Sequence, residues 1–556
     1  MIKNILAFFV FASISLNANE LINVLSDELQ RSMKEFKKEE NPPYFLAYAV
    51  TETQSLYIAS SFGKVLSSDK SHERVLDINL RVGDHSFDNT HIIRGQSFSF
   101  GSNFGAFAIP IENDPVALKQ KLWIATDKEY KAAIERYEKA LSNKAVKVEE
   151  EDLSPDLSKE DAIVDISKEE IKLDISQDEW ERKLNELSSV FLEHTWIYSA
   201  QVMLIVDLKT KYFVNSEGSK LRWTEPKYRI MITAKTKADD GMSLPLYRSY
   251  FSHDSNGLPS KEIMSNDINE LIKTLDGLRK APLMTTYSGP AILSGEASGV
   301  FFHEIFGHRV EGHREKDPNS SQTFKQSINK EILADFIDVE FDPNSKKRNG
   351  IDISGNYKYD DQGQPGKKVV AVKDGKFKSF LMSRSPIENF PNSNGHGRRQ
   401  PGYKAVSRQS NLMVKASKQM SMEDLKDQLI KLCKEQDKEF GLLFDVVQGG
   451  FTFTGRTVPN AFNVMPLVVY KIYTDRRPDE LVRGVDLIGT PLTTFKNIVG
   501  AADDLGVFNG ICGAESGGVP VSASSPSLLV SNIEVQKKKK SQAKPPLLDP
   551  PALMNP

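Results

Sequence analysis

Nine histidines occur in the chain, and two of them frame a glutamate in His303-Glu304-Ile305-Phe306-Gly307-His308. Imidazole nitrogen is a good zinc donor, and a carboxylate beside a ligand can take a proton from water at the metal. The neighbours Val300, Phe301, Phe302, Ile305 and Phe306 make the segment apolar nearly all round, which predicts a buried helix. Histidines and a carboxylate inside such a helix must be paired, liganded or hydrogen-bonded. In the common H-E-x-x-H pattern the two imidazoles lie about 40° apart on the helical wheel; at i and i+5 they lie about 140° apart. An ideal helix cannot aim both at one ion. The spacing therefore predicts a local break, either a π-bulge or a helix end near Gly307, where the backbone turns to deliver His308.

Two cysteines offer sulfur. Cys433 sits in a helical pattern over 421–440, beside Leu425, Leu429 and Leu432, and reads as a buried small hydrophobe. Cys512 lies in the glycine-rich stretch Asn509-Gly510-Ile511-Cys512-Gly513, where a thiolate could serve a metal. A disulfide between the two is the alternative in an exported chain.

At 556 residues the chain exceeds one simple core and implies two or more domains. Hydrophobic content of 39%, charged content of 26% and a formal net charge of −3 are those of a soluble globular protein without a nucleic-acid signature. Lys3, the apolar run at 5–14 and Ser15-Leu16-Asn17-Ala18 read as a secretory signal peptide over 1–18. That implies a periplasmic or secreted protein, with an N-terminal membrane anchor as the alternative. No later run of about 20 apolar residues predicts a span in the mature chain.

Residues 19–285 read as an N-terminal α+β domain. It has an amphipathic helix at 21–38, strand-like runs at 45–51, 55–62 and 75–82, and further helices and strands up to a helix at 266–278. Within it, the acidic, aromatic-poor stretch around 145–180 reads as a solvated insertion. The texture changes near Pro282. Residues 286–536 read as a β-rich domain carrying the buried helix, with a hairpin across Lys373-Asp374-Gly375-Lys376. Residues 537–556 read as a disordered basic and proline-rich tail. The fold class expected is α+β.

Several stretches of the C-terminal half together resemble the TldD/PmbA family of zinc metallopeptidases, members of which have also been described as modulators of DNA gyrase. They are HEIFGHRVEGH at 303–313, Tyr359-Asp360-Asp361-Gln362-Gly363, Gly395-His396-Gly397-Arg398-Arg399, Gly449-Gly450, Val482-Arg483-Gly484, and Gly510-Ile511-Cys512-Gly513 before Val519-Pro520-Val521. The resemblance implies one zinc ion per subunit, bound by His303, His308 and Cys512, with Glu304 as general base. It also implies unfolded or short peptides as substrates, added as a strand to an exposed sheet edge. The site would be enclosed in a homodimer or in a heterodimer with a paralogue. Where the family carries an acidic residue this chain has His313, so His303, His308 and His313 form a rival ligand set. Glu311 is a candidate hydrogen-bond partner of a ligand histidine. Arg398 and Arg399 are candidates for clamping a substrate carboxylate or carbonyls, and His396 for stabilising an oxyanion. A catalytically inactive peptide-binding or assembly subunit, and a zinc hydrolase of non-peptide bonds, are the competing readings.

Overall fold

The computed structural model describes residues 20–93, 106–146, 152–173, 175–456, 462–489, 491–538 and 546. The expected signal peptide, and all of the expected tail except 537, 538 and 546, lie outside the described residues. The fold is α+β, as expected, with a β-rich C-terminal part.

The N-terminal part is a seven-stranded sheet built on very long antiparallel strands, among them Pro43–Ser61, Lys64–Val82, Ser199–Asn215 and Lys220–Lys237. The separate runs expected at 45–51 and 55–62 are one strand. Its polar middle, Thr51–Ser55, is held by unbroken pairing to both neighbours, which outweighs the weak strand preference of those residues. Alternation puts Leu46, Tyr48 and Val50 under helices Glu20–Phe36 and Pro115–Val146. Leu56 and Ile58, further along the same face, join the core beneath Gln177–Ser189 and Lys261–Lys280. On the opposite face Phe45 and Ala47 pack with Phe213, Trp223 and Tyr359, the last contributed by the C-terminal part.

One expectation fails here. The acidic stretch is not simply solvated where it is described. Asp156, Leu157 and Ser158 are buried, and Val164–Ile166 is a strand paired parallel to Lys220–Lys237. Asp156 is ion-paired to His91 and Lys316, and the Ser158 carbonyl accepts from Arg384. Composition marks a segment as soluble on average; specific partners far away in sequence decide which of its charges are buried.

Two large sheets make most of the C-terminal part. One has seven strands and contains Tyr287–Leu293 beside Phe440–Thr452; the other has six and ends in Gly517–Ser525 paired to Gly506–Ala514. Helix Gly295–Ile305 lies between them, with Val300, Phe301, Phe302 and Ile305 in the largest hydrophobic core. Glycine permits that placement. A Cβ on Gly299 would come within 2.9 Å of the Ala523 carbonyl oxygen, and one on Gly295 within 2.3 Å of the Gly506 nitrogen. The expected hairpin closes across Asp374 and Gly375, both at positive φ. Both cysteines are free and buried, so the disulfide alternative is not realised; Cys433 packs with Leu425 and Leu429 as a small hydrophobe.

Candidate metal centre

The motif helix starts at Ser294, whose hydroxyl caps the Ala297 amide, and ends at Ile305. A short 3-10 turn, Gly307–Arg309, follows. This helix end removes the i, i+5 problem: His303 stays in the last helical turn and His308 comes back toward it from the 3-10 turn. The two rings stand with centroids 5.0 Å apart and planes at 76°. Gly307 is required by packing rather than by an unusual φ, because a Cβ there would lie 1.9 Å from Gln409 Oε1. The Gln409 amide in turn donates to the His303 carbonyl. Gly307→Ala is therefore expected to displace Gln409 and cost about 1–3 kcal/mol. Thermal melting checks this, and adding Gln409→Ala should recover part of the loss by making room.

Strand Gly506–Ala514 brings in the sulfur. Cys512 Sγ lies 3.4 Å from His308 Nε2, and one donor atom each from His303, His308 and Cys512 lies within 4.8 Å of the others. All three side chains are buried. This donor set fits zinc. Tetrahedral coordination with ordinary Zn–N and Zn–S bonds puts nitrogen and sulfur about 3.5 Å apart, and three protein ligands leave one position open. Burial opposes charge on the Cys512 thiol, yet His308, His303 and Arg408 hold it well below the usual thiol range, which is the form a metal needs.

Glu311 orients the second histidine. Its Oε2 accepts from His308 Nδ1 at 3.2 Å, leaving Nε2 to face the sulfur. Burial alone would raise the Glu311 carboxyl, but His308, Arg314 and Arg408 bring it down to about 2. Arg314 donates twice to Glu311 Oε2 and once to Glu515. Arg408 lies 3.3 Å from Glu311 Oε1 and also donates to the Cys512 carbonyl at 2.6 Å. One buried guanidinium thus joins the two halves of the donor set.

Glu304 is buried in the same cavity, of about 660 Å³, which the three donors also line. Desolvation raises its carboxyl, and the Cys512 charge adds to this against His303, His308 and Arg309. Arg309 donates to the Glu304 and Ile305 carbonyls, fixing the end of the helix.

His313 is not in the group. It bonds Glu515 through Nε2 and lines a separate cavity. The proposed substrate contacts are corrected too. His396 is fully buried between Asn394 and Ser410, and its imidazole is pushed down to about 3 by burial first and Arg398 second. Arg398 lies over the Tyr357 ring and donates to the Gln409 carbonyl, and Arg399 pairs with Asp77. A glycine-flanked, charged loop reads as exposed, but here it is buried between the two halves of the chain with its charges satisfied. Asp360 and Asp361 shape a turn, with Asp360 accepting from the Gln362, Gln364 and Gly397 amides. Arg309, Arg314, Arg408, Gln409 and Glu515 escaped sequence reasoning. Of these only Arg314 carried a local signal, its i, i+3 spacing from Glu311.

Residues 286–537 match the model of the PmbA/TldA metallopeptidase C-terminal domain. Over this domain, a little under half of its length, the chain is similar to the TldD/PmbA family. A metalloprotease of Methanothermobacter thermautotrophicus is 27% identical over 58% of this chain and 66% of its own length. A zinc metalloprotease TldD homolog of Saccharolobus solfataricus is 22% identical over 49% of this chain and 56% of its own length. The chain thus spans less than two thirds of these relatives. The crystal structure of TldE from Thermococcus kodakarensis superimposes with a TM-score of 0.58, at 13% identity, over 92% of this chain and all of that one. At that identity the likeness is one of fold.

Proposed function

We propose that this chain is a zinc-dependent peptidase hydrolysing unfolded or short peptides. The observation that carries the reading is the buried carboxylate of Glu304 in one cavity with two imidazoles and a thiol whose donor atoms converge. A structural zinc site has no use for an adjacent base, which favours an active enzyme over an inactive peptide-binding subunit. His303, His308 and Cys512 would hold the ion; bound there, zinc supplies Lewis acidity to polarise the scissile carbonyl and acidify water. Glu304 takes the proton from the attacking water and passes it to the leaving amine. Its desolvated site raises its basicity, which suits a group that must both accept and release a proton. Arg309 holds the backbone carbonyl of Glu304, and Glu311 holds the His308 ring.

Strand Gly506–Ala514 is at the end of its sheet, paired only to Gly517–Ser525 among the described strands. A peptide in extended form can add along it through main-chain hydrogen bonds, with the Cys512 side of the strand toward the site. The test is metal content and cleavage of an unstructured peptide. About one zinc per chain is expected, with activity lost to a chelator and restored by zinc. Cleavage that survives complete removal of metal would end this reading.

A further inference from the structure

Three large apolar side chains stand open around the cavity that holds the donor group: Phe451 is 45% exposed, Phe453 48% and Ile511 70%, and all three line it. Single exposed hydrophobes are ordinary, but a cluster at the mouth of a polar site marks a surface that something covers. Their placement says what. Phe451 follows Gly450, whose backbone runs so close to the base that a Cβ there would be 2.7 Å from Glu304 Cγ. Ile511 directly precedes Cys512. Ile511 and Cys512 alternate across their strand, Cys512 buried and Ile511 exposed, so Ile511 reaches the cavity at its rim, as Phe451 and Phe453 do from the other strand. The Phe451 and Phe453 rings brace each other edge to face, 5.6 Å apart at 71°. Arg309, which fixes the Glu304 carbonyl, also donates to the Phe453 carbonyl at 3.4 Å, so this aromatic wall is tied to the turn that carries the site.

The lining offers little to a charged side chain. Beyond the donor group and Glu304, its charged residues among the described ones are Arg314 and Glu515, and these pair with each other at 3.0 Å. Val300, Met465 and Phe508 add further apolar surface.

We infer that Phe451 and Phe453 on one side and Ile511 on the other form a seat for a large apolar side chain next to the scissile bond, so that the substrates are polypeptide segments rich in aromatic and branched aliphatic residues. Such segments are those a folded protein buries and an unfolded one exposes. The inference rests on the peptidase reading, because these walls border the same cavity as Glu304, where the scissile carbonyl would sit.

The test uses a cleavable peptide whose scissile bond has been mapped by mass spectrometry, with Phe or Ser placed on each side of that bond in turn. For the zinc-loaded protein, kcat/KM should favour Phe by about 10- to 100-fold on at least one side. The same peptides are titrated by fluorescence anisotropy into zinc-loaded Glu304→Gln, where the preference should appear in Kd without turnover. The double variant Phe453→Ser/Ile511→Ser changes exposed positions and should fold; its preference should shrink to within about threefold. The seat is overturned if Phe and Ser peptides are treated alike by rate and by binding, or if the double variant keeps the full preference. It is also overturned if the double variant alters the oligomeric state in light scattering while the preference stays, since the side chains would then serve an interface. Phe-selective binding with no turnover in the wild type would instead remove the peptidase reading and leave the seat standing.

Discussion

Glu304→Gln is expected to lower kcat/KM by about 10³-fold while the chain keeps its zinc and its fold, a loss of about 4 kcal/mol in transition-state stabilisation. Each part of that expectation has its own cause. Zinc is kept because the three converging donors are His303, His308 and Cys512, and Glu304 is not one of them. The fold is kept because glutamine has nearly the same volume as glutamate and the change removes a charge from a desolvated position rather than stranding one. Alanine would be a poorer probe, since it would also open a void against Gly450. Turnover is lost because an amide cannot take the proton. General-base catalysis is ordinarily worth about 10²–10⁴-fold. The thiolate donor moves this case toward the upper half of that range: its negative charge makes water at the metal less acidic than three neutral imidazoles would, so more of the work falls to the base. The effect should lie in kcat with KM nearly unchanged, because Glu304 acts on the water and not on the bound peptide. Metal content by atomic absorption and steady-state kinetics on one preparation are the measurements. A variant retaining a tenth of the activity would show that another group accepts the proton.

What the sequence disclosed followed how local each signal was. His303, Glu304, His308 and Glu311 lie within nine residues, so their chemistry and the need for a broken helix could be read directly, and the helix does end at Ile305. The partners that make the donor set work come from far away in the chain. The glycine-rich stretch around Cys512 marked it as a possible metal thiolate, and its place in the ligand set came from the family resemblance, not from spacing. Arg408 and Glu515 had no local pattern, and their roles exist only because the segments leading into two paired strands of one sheet bring them beside the motif. Errors arose where average character stood in for specific burial. His396, Arg398 and Arg399, candidate substrate contacts by sequence, are instead each engaged internally. The stretch around Asp156 was read as a solvated insertion for the same reason. The long strands of the first sheet were read in halves because their polar middles look like turns until cross-strand pairing is known.

Cys512→Ser should separate metal binding from folding, and its expected effect is the larger on affinity. Serine is close in size to cysteine, and Cys512 shares its small apolar cluster only with Val519 and Val521, so the metal-free variant should melt within a few degrees of the metal-free wild type. Its affinity for zinc should fall by well over the ~10–100-fold that loss of an outer-shell partner costs, because a direct thiolate donor is replaced by a neutral hydroxyl. His313 cannot take over. It is the nearest candidate in sequence, but Glu515 holds its Nε2 and it lines a different cavity. Cobalt substitution gives an independent readout: the wild type should show a sulfur-to-metal charge-transfer band and the variant should not. The comparison with Glu304→Gln then becomes a joint constraint. If the donors and the base are as assigned, one variant loses affinity and the other loses turnover at full occupancy, and no single general disturbance of the cavity can produce both patterns. A serine variant that bound zinc as tightly as the wild type and kept the cobalt band would place the sulfur outside the coordination sphere, and with it the argument that strand Gly506–Ala514 completes the site.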